Sequence, residues 1–232
     1  MESVVSDDTV RRFFKSVDPV LGAEWIARHA KPMWGALPDQ IIMDWDSTVQ
    51  PKYGHQEGAA VGYNPGKPGR RSFHPLLGVV ARTRLCPVYR FRSGDTVTAT
   101  QWQEAMEDAQ RWLGERQIWL NRGDLGLGHD AVMTWHEAAA GRPRFLFKLK
   151  LTAKVRTALH EVAATQWQGP SILGAWQVAE GKLQLTGWLH PRRVVFARCL
   201  QGLVPSAKSG EFWDHNKHEF AVYFTNPRSY FS

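Results

Sequence analysis

The chain has 232 residues, 29 of them Lys or Arg against 22 Asp or Glu, for a formal net charge of +7. With 43% hydrophobic and 22% charged residues it can bury one large core, which excludes a disordered chain. Two distant cysteines, Cys86 and Cys199, exclude a cysteine-rich zinc site and a disulfide framework and leave at most one long-range disulfide. No apolar run approaches the roughly 20 residues of a membrane helix. The start, "MESVVSDDTVRRFFKSV", lacks a signal-peptide core, so a cytoplasmic location is expected. Eleven tryptophans and the positive balance suit a polyanionic partner, because cations hold phosphates and rings can line a groove. Many basic proteins bind no nucleic acid, however, so charge alone does not decide.

In chain order, "SDDTVRRFF" and "DPVLGAEWIARHA" offer N-cap candidates before periodic apolar residues and predict two short helices. "KPMWGALPDQ" then reads as a linker, because its prolines and glycine break a helix. Ile41, Ile42 and Met43 open a strand that ends at Asp44-Trp45-Asp46. Residues 47–71 follow as a glycine- and proline-rich loop, long enough to indicate a function of its own. "SFHPLLGVVAR" and "LCPVYRFR" predict a hairpin. Trp102, Ala105, Met106, Ala109, Trp112 and Leu113 fall at helical spacing and predict an amphipathic helix on a sheet. "RQIWLNRGD" predicts a fourth strand ending at Asp124, "HDAVMTWHEAAAG" a second helix of this region, and "PRFLFKLKL" a fifth strand with one apolar and one basic face. From Ser171 to Tyr223 the pattern changes to short strands: "ILGAWQVAE", "KLQLTGWLH", "RRVVFARCL" and "HEFAVYFTN". This layout divides into an N-terminal helical segment (1–40), an α/β core (41–151) and a β-rich remainder (152–232).

Two features carry chemistry. Asp44 and Asp46, two apart on a strand, point to the same face, which is costly unless something positive binds there. Asp124 ends the fourth strand, and in a mixed sheet the ends of the first and fourth strands can lie side by side. Two carboxylates brought together in this way make a hard-oxygen site suited to Mg²⁺ or Mn²⁺. Each aspartate alone reads as readily as a turn residue bonded to its own backbone.

"DWDSTV", "GHQEGAAVGYNPGKPGRRSFHPLL", "NRGDLGLG", "FKLK", "PRRVVFAR" and "YFTN" occur in this order over nearly the whole chain. Together they resemble the DDE-type transposases of bacterial insertion sequences, in the group with a Asp-x-Asp-Ser-Thr motif and a Gly-x-Gln-Glu-Gly-Ala-x-x-Gly-Tyr-Asn-Pro loop. The resemblance implies a ribonuclease H-like mixed sheet with helices on both faces, interrupted by a β-rich insertion. It also implies two-metal phosphoryl transfer on double-stranded DNA, at transposon ends and target, by a protein that acts as a dimer. It assigns the first and second metal-binding acids to Asp46 and Asp124, and leaves Asp44 a supporting role or none. The family's third acid, a glutamate on a helix after the "TN" strand, has no counterpart before Ser232, and Glu211 and Glu219 precede that strand. The chain is therefore expected to be the middle of a transposase, with a non-cutting remnant that binds DNA or full-length transposase as the alternative.

Lys67, Arg70 and Arg71 in the long loop, Lys148 and Lys150 on the fifth strand, and Arg192 and Arg193 are candidate phosphate contacts; a solvated basic face is the plainer explanation of each. His129 and His136 share a predicted helix without any other ligand pattern, which argues against zinc. "YNPGKPG" lacks the spacing of a nucleotide-binding loop, so no nucleotide cofactor is expected.

Overall fold

A computed structural model describes residues 5–83, 85–138, 141–170, 174–200 and 218–225. The expected N-terminal helices form as α1 (Asp7–Ser16) and α2 (Pro19–Trp34). The Ser6 hydroxyl caps α1, and the Asp18 carboxylate caps α2 by accepting from Val20 and Leu21. Helix α2 runs through Pro32, one turn further than its prolines suggest, and its last residue, Trp34, is buried in the core.

Among the described residues eleven strands follow, eight of them in one sheet. The core strands are β1 (Gln40–Ser47), β5 (Leu76–Val80), β6 (Val88–Arg90), β7 (Gln117–Gly123) and β8 (Arg144–Lys148). They lie in the order β6-β5-β1-β7-β8. β1, β7 and β8 run parallel, and β5 is antiparallel to both of its neighbours. This is the strand order of a ribonuclease H-like core. Helices α3 (Trp102–Leu113) and α4 (Asp130–Glu137) make the connections between its parallel strands. The long loop is not structureless: β2 (Gln50–Pro51), β3 (Ala60–Val61) and β4 (Arg71–Phe73) form a small separate sheet.

In the region expected to be an insertion, β9 (Trp176–Leu183), β10 (Arg192–Leu200) and β11 (His218–Thr225) continue the core sheet beyond β8. Residues 176–180 and 182–183, from two separately predicted strands, belong to the single strand β9. Ile172 and Leu173, where that prediction begins, and the stretch after Thr225 lie outside the described residues. Sequence inspection also missed α5 (Ala153–His160), capped by Thr152 and buried only at Val155 and Leu159. Cys86 and Cys199 are free thiols. Among the described residues no helix is long and apolar enough to cross a membrane.

The core beneath the carboxylates is built on one face of the sheet. Trp102, Ala105, Met106, Ala109 and Leu113 are buried along α3, as their spacing requires, and Trp102 meets Trp45 of β1 edge to face at 5.9 Å. A polar chain runs through this apolar layer. Trp45 Nε1 donates to Asn121 Oδ1 (2.8 Å), Asn121 Nδ2 lies 3.1 Å from His136 Nε2, and His136 Nδ1 lies 2.8 Å from the Val132 carbonyl. All donors match acceptors only if His136 is neutral with its proton on Nδ1. Burial holds this imidazole down at about 4. His136 is thus a structural residue packed among Trp102, Phe145 and Phe147, while His129 is the exposed N-cap of α4.

A second buried device fixes α4 to the added strands. Arg192 opens β10 with only 1% of its side chain exposed, and its guanidinium donates to Asp130, Thr134 and Glu137 of α4. Burial opposes its charge, but the hydrogen bonds to the two carboxylates outweigh that and raise its pKa. The expectation that Arg192 contacts phosphate is therefore corrected: every nitrogen is directed at α4 under the sheet, where DNA cannot reach.

Two measurements follow. An imidazole at about 4 when folded and about 6.5 when unfolded contributes stability that is whole above pH 6.5. That contribution is lost as pH falls to about 4, up to about 3 kcal/mol. Urea unfolding at pH 7 and near pH 4 should show this loss in the wild type and its reduction in His136→Gln; equal losses in both would contradict the buried neutral imidazole. Arg192→Ala should cost about 3 kcal/mol, because it takes the buried guanidinium from Asp130 and Glu137 and leaves them only the Leu189 amide and His190, and a thermal melt unchanged from wild type would show the cluster to be unimportant.

Candidate metal centre

Parallel pairing of β1 with β7 places Asp44 opposite Arg122 and Trp45 opposite Gly123. One step further, at the C-terminal ends of these neighbouring strands, stand Asp46 and Asp124. Adjacent strands are about 4.8 Å apart, so the two carboxylates share one corner of the sheet. The next parallel pair, β7 with β8, matches Gly123 to Phe147, and one step on from there Lys148 stands beside Asp124. Alternation assigns Trp45, Gly123 and Phe147 to the packed face and Asp46, Asp124 and Lys148 to the other. All three side chains are in exposed residues.

Each aspartate uses one oxygen to shape its own turn. Asp46 Oδ1 accepts from the Ser47 amide at 2.8 Å, and Asp124 Oδ1 accepts from the Gly126 amide at 3.0 Å, capping the 3-10 turn Leu125–Leu127. The turn explanation of these residues therefore holds for half of each carboxylate. Neither Asp46 nor Asp124 has a cationic partner among the described residues.

Asp44 is different. Arg122 grips it with two parallel hydrogen bonds, Nε to Oδ1 at 2.6 Å and Nη2 to Oδ2 at 2.7 Å. Those bonds raise the Arg122 pKa against the effect of burial. Both side chains are 42% exposed, so the pair adds little stability. Its effect is electrostatic: the same-face positions two residues before Asp46 and Asp124 carry a neutral pair instead of a third bare carboxylate.

Three residues that sequence inspection missed lock the two turns together. The Ser47 hydroxyl, next to Asp46, lies 2.7 Å from the Thr98 hydroxyl. Thr98 also packs so closely over Gly126 that a Cβ there would come within 2.4 Å of Thr98 Oγ1. The glycine is required because Thr98 sits between the Asp46 strand end and the Asp124 turn. Arg92 holds the Thr98 loop in place. Its guanidinium donates to the carbonyls of His74 (2.9 Å), Thr98 (3.0 Å) and Thr100 (2.6 Å). Burial, with a smaller contribution from Arg90, lowers Arg92 to about 10, which leaves it charged at neutral pH. No local pattern marks Arg92, since its partners are backbone carbonyls.

The remaining candidate cations lie in three places. Lys67 donates to the Tyr53 hydroxyl, Arg70 stacks 4.4 Å from the Tyr53 ring centre, and Arg71 donates to the Ala59 carbonyl at 3.1 Å, all in the long loop. Lys148 and Lys150 are exposed at the end of β8. Arg193 pairs with Glu180 of β9 at 2.7 Å. Of the glutamates considered for a third acid, Glu219 lies on β11 opposite Cys199 and Glu211 is outside the described residues. Among the described residues no cluster of three or more metal-binding side chains occurs. Asp46 and Asp124 supply two adjacent, uncompensated oxygen donors, a set that fits part of the coordination of a hard divalent cation.

Among curated proteins, none matches this sequence. The solved structures that align with it include the piggyBac transposase in a synaptic complex with hairpin DNA and the Drosophila P element transposase in a strand transfer complex. The first has a TM-score of 0.45 at 9% identity, covering 94% of this chain and 40% of that one. The second has a TM-score of 0.34 at 12% identity, covering 68% and 37%. The chain thus spans about two fifths of the length of either. The assignment rests instead on the sequence family described as Transposase DDE domain group 1, which matches residues 1–203. The chain, with its ribonuclease H-like core, belongs to that DDE transposase family.

Proposed function

We propose that this chain carries the catalytic core of a DNA transposase that cuts the strands of an insertion sequence and joins them to target DNA. The observation that supports this most is the pair of cation-free carboxylates, Asp46 and Asp124, on neighbouring parallel strand ends. These residues would hold Mg²⁺ or Mn²⁺. When bound, the metal stabilises charge on the phosphodiester and activates the attacking oxygen.

The protein's own groups have separable tasks. Asp46 and Asp124 are held at fixed spacing by the sheet and by the Ser47–Thr98–Gly126 contact. Arg122 neutralises Asp44, so repulsion at the corner is limited to the two carboxylates that a metal would compensate. Lys148, one strand over, supplies positive charge beside the carboxylates for the DNA backbone, with Lys150 behind it. Acting on paired element ends would call for a homodimer, working on DNA in the cytoplasm. The net charge of +7 favours association with a polyanion.

Asp46→Asn and Asp124→Asn keep the shape of each turn, because the amide oxygen can still accept the Ser47 or Gly126 hydrogen bond. Each should reduce metal-dependent nicking of element-end DNA by about a hundred-fold or more while the thermal melt stays put. Wild-type rates in either variant would refute the assignment, and salt-dependent DNA binding by a wild-type chain that never cuts would favour the binding-only alternative.

A further inference from the structure

The long loop carries an open, shallow cavity of about 380 Å³ on its surface, lined by Lys52, Gly54, His55, Gly69, Arg70 and Arg71 among others, with no acidic residue in its wall. Two strands hold it in shape. Lys52 directly follows β2, Arg71 begins β4, and the Lys52 amide donates to the Arg71 carbonyl at 2.9 Å. Gly54 and Gly69 have φ of +110° and +75°, a region other residues rarely adopt, and a Cβ on either would meet nothing within 4 Å. These glycines serve the backbone path and leave the mouth of the cavity bare.

The cations here are arranged rather than merely exposed. Tyr53 is the post: Lys67 hydrogen-bonds its hydroxyl from one direction, and the Arg70 guanidinium stacks 4.4 Å from the ring centre. The Lys67 contact lowers the Tyr53 pKa. The Asn64 side chain fixes the turn by accepting from the Lys67 amide at 2.9 Å, and the Arg70 amide donates to the Lys67 carbonyl. Lys52 rests 5.5 Å from the Phe73 ring centre. None of Lys52, Arg70 and Arg71 has a carboxylate partner among the described residues. An ordinary solvated face carries interspersed acids; a concave site with ordered, acid-free cations is complementary to a phosphate.

We propose that this cavity seats a backbone phosphate of the DNA, an inference that rests on the reading of the chain as a DNA-cutting core. Lys52 is six residues beyond Asp46, which limits their separation to about 20 Å. That distance is about six nucleotide steps at 3.4 Å per step, so one duplex can reach the carboxylates and the cavity together. The cavity would set where along the strand the carboxylates act, and its contact carries no base sequence information.

The test is the salt dependence of duplex binding, measured from about 50 to 200 mM salt, for wild type, the double variant Lys52→Ala/Arg70→Ala, and the charge-preserving Arg70→Lys. Arg71 is left in place because its hydrogen bond to Ala59 holds the loop. The double variant, folded by thermal melt, should show a log–log slope shallower by about 1 to 2, the loss of one or two phosphate contacts, and Arg70→Lys should retain most of it. Wild-type slope and affinity in a folded double variant would overturn the proposal. So would a cavity that binds inorganic phosphate in wild type and loses it in the double variant while duplex binding stays unchanged, since the site would then serve a free anion. Asp46→Asn separates the two inferences: cleavage retained by it defeats the catalytic assignment, whereas an unchanged slope in the cavity variant defeats only the cavity.

Discussion

Parallel pairing of β1 with β7 is the constraint on which the rest of the molecule depends. These strands are separated in sequence by the whole loop, a hairpin and α3, yet their register brings Asp46 and Asp124 to one corner. Register on a half-buried sheet is set by what must be buried, because a slip of one residue would turn Trp45 and Met43 outward. Here a polar lock reinforces that apolar one. Trp45 donates to Asn121 across the strand pair, and Asn121 is engaged in turn by His136 of α4. A slipped register would bury an indole N–H and an amide without partners, at a cost of about 1–3 kcal/mol each. The aspartates on one face are thus aligned by hydrogen bonds on the other.

Charge is sorted by the same sheet. On the packed side, Arg192 is enclosed by two carboxylates and a hydroxyl of α4, and the cluster clamps the helix to β10. On the open side, Asp44 is quenched by Arg122, and the carboxylates two residues further along each strand have no ion-pair partner among the described residues. Lys148 stands beside that corner, one strand over, without ion-pairing to Asp46 or Asp124. A chain with excess positive charge thus leaves these two aspartates without an ion-pair partner among the described residues, a distribution suited to holding a cation.

Much of this was legible in the sequence because strand ends and helix faces are local patterns. The spacing from Trp102 to Leu113 predicts α3 and its buried residues, and the apolar runs before Asp46 and Asp124 predict two strands that end in acids. The loop motif pointed to the family. What escaped notice depends on distant partners. "RRVVFAR" shows two neighbouring arginines, and nothing local says that Arg192 enters a cluster on α4 while Arg193 pairs with β9. Arg92 bonds carbonyls, which every residue possesses, so its role as the clamp of the Thr98 loop has no sequence mark. Helix α5 was missed because it is eight residues long and buries only two of them. The β-rich remainder was recognised as strands, but which sheet they join is decided by the free edge of β8.

Metal binding at the corner of β1 and β7 is the central claim, and locating the ion tests it most directly. Crystals equilibrated with millimolar Mn²⁺ and measured for anomalous scattering should show a manganese peak within coordination distance, about 2.0–2.5 Å, of carboxylate oxygens from both Asp46 and Asp124. A peak held by other residues, or saturating Mn²⁺ with no peak between these two side chains, would contradict the account.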